Sequence, residues 1–206
     1  PVVAVELDRD MIPILEKEFS GTSLRIVQAD ILHVRFDDIL PADISFVIAG
    51  NFPYNISSQI VFLGLQLRHR VPFMAGMFQK EMAERICSDP GSKAFGVISV
   101  LVQAYYNTSL LFTVKPGSFA PPPKVQSAVI SLTRYRHEIE GVPYNVLRQV
   151  VKMAFSQRRK KIRNTLKSLI PEETLKELAL VDLRPEQLTV DQFITLARIV
   201  ATSPAI

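Results

Sequence analysis

Cysteine, histidine and tryptophan are scarce in this 206-residue chain, which has one cysteine, Cys87, three histidines and no tryptophan. A single thiol excludes an internal disulfide framework. His33, His69 and His137 are scattered along the sequence, so we predict no Cys/His zinc site and no bound metal. We expect a protein of the reducing cytoplasm.

Long apolar runs are also missing. The longest, residues 94–102, has about half of the roughly 20 residues that a membrane-spanning helix needs. No basic segment followed by an apolar one opens the chain, so we predict a soluble protein without a membrane segment. The 24 basic and 20 acidic residues give a net charge of +4, which is compatible with a polyanionic partner.

Apolar strand patterns alternate with helical ones over the first two thirds of the chain. Strands are predicted at residues 1–7, 24–29 and 44–49, each followed by polar residues. Such apolar strands suit a parallel sheet covered on both faces, and ligands bind at its carboxyl edge. Two later strands, at residues 110–114 and 127–132, flank a proline-rich loop and are expected to form an antiparallel edge pair.

Strand patterns stop after about residue 137, where three helical patterns begin. The helices are predicted at residues 144–169, 171–179 and 190–201. Thr189 and Gln192 form a capping-box pattern at the start of the last one. We therefore predict an α/β domain over residues 1–137 and a small all-helical domain over residues 138–206.

The strongest motif is Asn51-Phe52-Pro53-Tyr54, which follows an apolar strand. Proline favours an extended backbone at Phe52, which turns the Asn51 side chain and nearby carbonyls out of the strand end. These acceptors suit an aromatic amine, whose lone pair they would aim at a methyl donor, and Tyr54 offers a flat face for a base removed from its stack. An ordinary Asn-Pro turn is the alternative.

The segment NFPYNIS resembles the bacterial small-subunit ribosomal RNA adenine dimethyltransferase family (the KsgA type). The resemblance includes VVAVELD before this segment and FAPPPKVQSAVISL after it, and it extends over essentially the whole chain. The family's usual sequence is N-L-P-Y-N-I-S, so this chain has Phe52 where the family has leucine. This position is expected to contribute mainly its backbone. The resemblance implies a Rossmann-like, S-adenosylmethionine-dependent methyltransferase domain. It further implies dimethylation of N6 of two adjacent adenines in 16S ribosomal RNA, linked to ribosome biogenesis, by a monomer acting on a small-subunit precursor.

The resemblance also assigns cofactor contacts. Glu6 ends the first strand and would accept hydrogen bonds from both ribose hydroxyls of S-adenosylmethionine. Asp30, with the Ile31 backbone beside it, would accept from the adenine amino group, and Asn51 would border the same pocket. A helix-entry carboxylate at Glu6 and a helix N-cap at Asp30 are the alternatives.

Phe119 matches the family's second aromatic residue around the flipped adenine, which Tyr54 and Phe119 would then sandwich. Prolines 121 to 123 stiffen the loop that carries it. A hydrophobic plug is the alternative for Phe119. Lys124 is a candidate phosphate contact, or else a solvated lysine.

A dense basic run is predicted on the 144–169 helix and, by the resemblance, belongs to the RNA-binding part of the protein. Its cations would bind phosphates and supply salt-dependent affinity, although a solvated face is the common alternative. The run comprises Arg158, Arg159, Lys160, Lys161 and Arg163.

Three other functions remain open. A large-subunit ribosomal RNA adenine dimethylase would share the core motifs, but the FAPPPKV loop and the helical tail fit the small-subunit family better. A DNA adenine methyltransferase would usually have Asp where this chain has Asn51. A ribosome-assembly or RNA-binding factor with secondary or no catalysis is the alternative from outside the enzyme class.

The family's sequence begins with a strand and a glycine-rich loop, roughly E-x-G-x-G-x-G-x-L-T, whereas this chain contains no G-x-G. We therefore expect the methyltransferase domain to be incomplete at its N-terminus. In the family's sheet the missing strand lies between the strands that end at Glu6 and Asn51. Its absence would leave both neighbours with unpaired backbone groups and exposed apolar side chains.

The 206-residue chain is accordingly expected to bind S-adenosylmethionine weakly or not at all, because the loop that would wrap the methionine part is missing. Calorimetric titration of the cofactor into this chain measures the affinity, with the protein produced from its intact gene as the reference. An affinity equal to that of the reference would contradict the expectation.

Overall fold

In a computed structural model of the protein, which describes residues 1–202, six strands form two sheets. The chain divides into two compact units, Pro1–Phe46 and Val47–Ile206, and each contains one of the sheets. The mixed α/β architecture with a helical C-terminal part agrees with the predicted fold class.

The first unit is a strand–helix–strand arrangement. Strand β1 (Val2–Glu6) pairs in parallel with β2 (Leu24–Gln28), and helix α1 (Met11–Glu18) connects them. A short helix, α2 (Phe36–Ile39), follows β2. No residue of α1 is buried, and Val2 is 64% exposed.

The second unit contains a four-stranded sheet in the order β3-β4-β6-β5. Strands β3 and β4 are parallel and are connected through helix α3 (Ser57–Gln66), whereas β6 is antiparallel to both β4 and β5. Their bounds are Val47–Asn51 for β3, Phe73–Gln79 for β4, Tyr106–Val114 for β5 and Ser127–Arg134 for β6. The predicted antiparallel edge pair is thus β5 and β6, and β1 and β3 are each the outer strand of their sheet.

Strand β3 begins three residues later than predicted. Pro41 starts a turn in which its carbonyl accepts a hydrogen bond from the Ile44 amide at 3.2 Å, so the segment around Ile44 is not available for the sheet. Pairing with β4 then runs from Val47 to Asn51. The strand therefore extends to Asn51, two residues beyond its predicted end at Ala49.

Two helices complete the core of the second unit. Helix α4 (Lys80–Cys87) follows β4 directly, and α5 (Val97–Gln103) is almost completely buried. The longest apolar run of the sequence is therefore a core helix, and the described residues include no helix that is long and apolar enough to cross a membrane. Along β4, Met74, Gly76 and Phe78 are buried and alternate with partly exposed neighbours, as expected for period-two side chains.

The C-terminal part is helical, but the single helix predicted over residues 144–169 is wrong. The structure has α6 (Tyr144–Phe155), a turn, and then α7 (Ile162–Thr165). The Ser156 hydroxyl donates to the Met153 carbonyl at 2.7 Å, a local bond that competes with helix continuation. Backbone hydrogen bonds from Ile162 to Leu183 and from Arg163 to Val181 hold the next segment in place.

The two remaining helices are α8 (Glu172–Glu177) and α9 (Val190–Thr202). The capping box of α9 is confirmed. The Thr189 amide donates to the Gln192 side chain at 2.8 Å, and the Gln192 amide donates to the Thr189 hydroxyl at 3.2 Å.

One buried hydrogen bond connects β5 to the loop before β4, and it generates a stability prediction. The Tyr106 hydroxyl donates to the Val71 carbonyl at 2.7 Å, and burial raises the pKa of Tyr106 to about 12. Tyr106→Phe leaves this carbonyl buried without that partner, so we expect the free energy of unfolding to fall by about 1–3 kcal/mol. Chemical denaturation measures the change.

The matched control is Tyr135→Phe. The Tyr135 hydroxyl also donates to a backbone carbonyl, that of Gln103, at 2.8 Å. Because Tyr135 is exposed, water can replace this bond, and we expect a loss below about 0.5 kcal/mol. Equal losses in the two variants would contradict the assigned role of Tyr106.

Candidate active site

The turn after β3 is anchored by the ring of Phe52. This side chain is only 7% exposed and lies against Gly50 and Gly76, which face each other in the β3–β4 register. A Cβ atom at Gly76 would lie 2.2 Å from the Phe52 ring, and the edge of Phe78 packs against that ring at a centroid distance of 5.2 Å. Phe52 was expected to contribute mainly its backbone. In the structure its side chain also packs against the sheet and holds the turn in place.

The residues on either side of Phe52 face outward. Asn51 and Pro53 are exposed, while Tyr54 is half-buried. The Pro53 carbonyl accepts a hydrogen bond from the Ile56 amide at 3.1 Å. The Asn51 side chain and the Phe52 carbonyl form no hydrogen bond within residues 47–202, so these two acceptors are available to a ligand.

Tyr54 is fixed at both ends. Its carbonyl accepts a hydrogen bond from the Ser57 hydroxyl at 3.1 Å, at the start of α3. Its own hydroxyl lies 2.6 Å from the hydroxyl of Ser127, the first residue of β6. Sequence reasoning missed Ser127. The available signal was its position in the FAPPPKVQSAVISL segment that carries the family resemblance.

Phe119 is half-buried and follows a short 3₁₀ turn, Pro116–Ser118. Its loop runs on through exposed Lys124, contains a cis peptide bond before Pro121, and ends at β6. The end of the loop is tied to α4, because the Lys80 amide donates to the Gln126 carbonyl at 2.9 Å.

Glu6 and Asp30 lie at the carboxyl edge of the two-stranded sheet of the first unit. The Glu6 side chain accepts hydrogen bonds from the Leu7 and Asp8 amides, each at 2.8 Å and on the same oxygen. The second oxygen accepts no hydrogen bond from the described residues of the first unit, and the Ala29 amide, next to Asp30, donates to the Glu6 carbonyl at 3.0 Å. Two carboxylates at one sheet edge fit the hydroxyl and amino donors of a nucleoside cofactor.

Asp30 also organises the turn that follows it. One carboxylate oxygen accepts from the Leu32 amide at 2.9 Å, and the other lies 2.8 Å from Nδ1 of His33. The Leu32 amide and then the His33 side chain lower the pKa of Asp30, so this carboxylate is ionised at neutral pH. Ile31, its neighbour, is half-buried.

The basic run lies in the turn between α6 and α7 and at the start of α7, and not along one helix as predicted. Its members divide into two groups, and those of the first group have partners within the protein. The Arg158 guanidinium donates to the Lys93 and Phe95 carbonyls, and both Lys161 and Arg163 pair with Asp182 at 3.1 and 3.0 Å.

Arg159 and Lys160 form the second group. Their side chains are exposed and form no hydrogen bond or ion pair within the described residues. They are therefore the two cations of the run that are free to bind a phosphate.

The histidines are less scattered than the sequence indicates. His69 and His137 come together with Glu138, and their potential ligand atoms lie within 4.8 Å of one another. Guanidinium groups bind the same segments, since Arg68 donates to the His137 carbonyl at 2.7 Å and Arg134 to the His69 carbonyl at 2.9 Å. This positive charge opposes binding of a divalent cation.

Parallel strands that end in acidic residues in the first unit, and an Asn-Phe-Pro-Tyr turn at the end of a parallel strand in the second, are typical of methyltransferases that modify amino groups of nucleobases. The chain also matches known proteins. Residues 1–202 match the family described as "Ribosomal RNA adenine dimethylase". This match covers nearly the whole chain, so the protein belongs to the ribosomal RNA adenine dimethylase family, whose methyl donor is S-adenosylmethionine.

Curated relatives share much of the sequence. A "Ribosomal RNA small subunit methyltransferase A" of Flavobacterium johnsoniae is 44% identical over 194 residues, which are 94% of this chain and 74% of the relative. The protein of the same name from Porphyromonas gingivalis is 43% identical over 95% of this chain and 76% of the relative.

Solved structures share the fold. A dimethyladenosine transferase from Plasmodium falciparum superposes with a TM-score of 0.81 at 23% identity, over 95% of this chain and 80% of that one. The 23S rRNA methyltransferase ErmE gives 0.68 at 23% identity, over 96% of this chain and 81% of that one.

The close approach of Phe52 to Gly76 generates a prediction about the site. In Gly76→Ala the new methyl group displaces the Phe52 ring, since the neighbouring atoms are a buried ring and the Gly50 carbonyl at 3.0 Å. We expect the unfolding free energy to fall by about 1–3 kcal/mol. We also expect the backbone amide NMR signals from Asn51 to Tyr54 to shift.

Gly117→Ala is the control, because a Cβ atom there would meet no atom within 4 Å. It should leave both readouts at wild-type values. If Gly76→Ala behaves like this control, Phe52 does not anchor the turn.

Proposed function

We propose that this protein transfers two methyl groups in succession from S-adenosylmethionine to N6 of each of two adjacent adenines in 16S ribosomal RNA, as a step of ribosome biogenesis in the cytoplasm. The observation that carries the proposal is the turn at the end of β3. It presents two unoccupied acceptors, the Asn51 side chain and the Phe52 carbonyl, beside the half-buried ring of Tyr54. The relatives named small-subunit methyltransferases support the choice of RNA.

The two acceptors have a specific chemical task. The exocyclic amine of adenine is a weak nucleophile because its lone pair is delocalised into the ring. In the first transfer, hydrogen bonds from its two N–H groups to Asn51 and to the Phe52 carbonyl favour a pyramidal nitrogen with the lone pair directed outward. In the second transfer the methylated amine has one N–H left to donate. Each time the S–methyl bond breaks as the N–methyl bond forms, and the nitrogen then loses one proton to water. Positioning and hydrogen bonding can supply most of the acceleration, and no strongly basic side chain is required.

S-adenosylmethionine supplies an electrophilic methyl group when bound. In the first unit, Glu6 would hold the ribose hydroxyls and Asp30, with the Ile31 backbone, the adenine end of the cofactor. The Leu7 and Asp8 amides fix the Glu6 carboxylate.

Tyr54 and Phe119 would hold the target base after it leaves the RNA stack. Stacking on an aromatic side chain is worth roughly 1–3 kcal/mol per base, and it tolerates any base. Stacking therefore does not select adenine, whereas the two acceptors favour bases that carry an exocyclic amino group. Pro53, between Phe52 and Tyr54, stiffens the turn.

The RNA itself would be held through its phosphates. We assign this task mainly to Arg159 and Lys160, with Lys124 as a further exposed cation. Arg158, Lys161 and Arg163 have partners within the protein, so they would shape the surface and add to its field. Residues 138–206 would then form the RNA-binding domain of a monomeric enzyme, and recognition would depend on RNA shape and phosphate spacing.

Two variants separate catalysis from RNA binding in the protein produced from its intact gene. Asn51→Ala removes one acceptor for the amine, so methyl transfer to small ribosomal subunits should fall by about a hundredfold or more while RNA binding is unchanged. Arg159→Ala/Lys160→Ala should weaken RNA binding. The slope of log affinity against log salt concentration should become shallower by about one for each lost phosphate contact. Transfer of radiolabelled methyl groups and filter binding at several salt concentrations measure the two properties.

Lys17→Ala, at an exposed lysine of α1, is the control for the loss of charge and should change neither property. Full methyl transfer by Asn51→Ala would contradict the proposal. If ribosome assembly in cells survives Asn51→Ala but fails with Arg159→Ala/Lys160→Ala, the main role is that of an RNA-binding assembly factor.

A further inference from the structure

The Tyr54 hydroxyl is engaged with another hydroxyl of the protein. It shares a hydrogen bond with Ser127 at an oxygen–oxygen distance of 2.6 Å, between residues 73 positions apart in the sequence. Ser127 is completely buried. A buried hydroxyl without a hydrogen-bond partner costs free energy. The bond to Tyr54 gives the Ser127 hydroxyl its partner and at the same time fixes the far end of the tyrosine ring.

Ser127 is a rigid anchor because it lies in the middle of three strands. As the first residue of β6 it is in register with Gln79 of β4 on one side and with Val114 of β5 on the other. The preceding residue, Gln126, accepts two hydrogen bonds from Lys80, one on its backbone carbonyl at 2.9 Å and one on its side chain at 3.2 Å.

The bond joins the two segments that carry the aromatic residues of the site. Tyr54 belongs to the turn after β3, and the loop that carries Phe119 ends at β6, where Ser127 is the first residue. A shift of either segment therefore acts on the other through this contact. An aromatic ring whose orientation is fixed before a base arrives loses less entropy on binding.

We infer that Ser127 is a positioning residue of the base-binding site: its hydroxyl holds the Tyr54 ring in the orientation that stacks on the target base. The inference rests on the proposed function. It also defines how Tyr54 acts, because the tyrosine hydroxyl is engaged with Ser127 and only the ring face is left for the base.

The test uses Ser127→Ala, Tyr54→Phe and the double variant in the protein produced from its intact gene. Both single changes remove the same hydrogen bond, so each should lower kcat for methyl transfer by about fivefold to tenfold. The kcat of the double variant should equal that of the less active single variant, because the second change has no further bond to remove. Because RNA phosphates are bound elsewhere, KM for the ribosomal substrate should change less than twofold.

A second readout follows the ring itself. RNA carrying 2-aminopurine at the target position loses fluorescence when the base stacks on an aromatic side chain. We expect wild-type protein to quench this signal and both single variants to quench it less. Ser131→Ala, at a half-buried serine of the same strand, is the control and should match wild type in kcat and in quenching.

The outcomes separate the inference from the function on which it rests. If wild-type protein does not methylate small-subunit RNA, the proposed function is wrong. If wild type is active but Ser127→Ala and Tyr54→Phe match it in kcat and quenching, or if their effects multiply in the double variant, Ser127 does not position Tyr54. Should Ser127→Ala fail to fold, Tyr54→Phe alone decides, because it removes the bond without changing the side chain packed inside the sheet.

Discussion

The packing of one phenylalanine ring against two glycines is the constraint on which the site depends. Gly50 and Gly76 face each other on β3 and β4, and the space left by their missing side chains is filled by Phe52. Because Phe52 is held there, the residues before and after it must turn outward at the carboxyl edge of the sheet. The exposed Asn51 amide and the half-buried Tyr54 ring are thus consequences of how the strands pack.

Another contact within the second unit also supports that turn. Strand β6 runs antiparallel beside β4 and begins at Ser127, whose hydroxyl reaches Tyr54. The Asn51 and Phe52 acceptors and the Tyr54 ring are therefore fixed by two separate contacts, one apolar and one polar. In the first unit, Glu6 and Asp30 are each oriented by amides of the next few residues, so their geometry is determined locally.

Sequence patterns predicted the features that depend on neighbouring residues. Strand β2 lies within the residues predicted for it, and the capping box of α9 forms as expected. Features that depend on distant contacts were missed. In the basic segment, Arg158 binds carbonyls more than 60 residues away in sequence, and no local pattern reports that.

The candidate site residues divide in the same way, into those that a local pattern indicates and those that depend on distant contacts. Asn51 and Tyr54 were proposed from a short motif, and family resemblance supplied the roles proposed for Glu6, Asp30 and Phe119. Ser127 and Gly76 were not identified, since each acts through a residue that is far away in the sequence but close in the fold. The division of the basic run into free and paired cations likewise required the position of Asp182.

The central claim is that the turn after β3 receives the amino group of an adenine in small-subunit RNA. Mass spectrometry of nucleosides tests it most directly, using unmodified small ribosomal subunits incubated with S-adenosylmethionine and the protein produced from its intact gene. The account predicts N6,N6-dimethyladenosine at two adjacent positions of the 16S RNA. Methylation of another base or of ribose, or of adenine at a different atom, would contradict it.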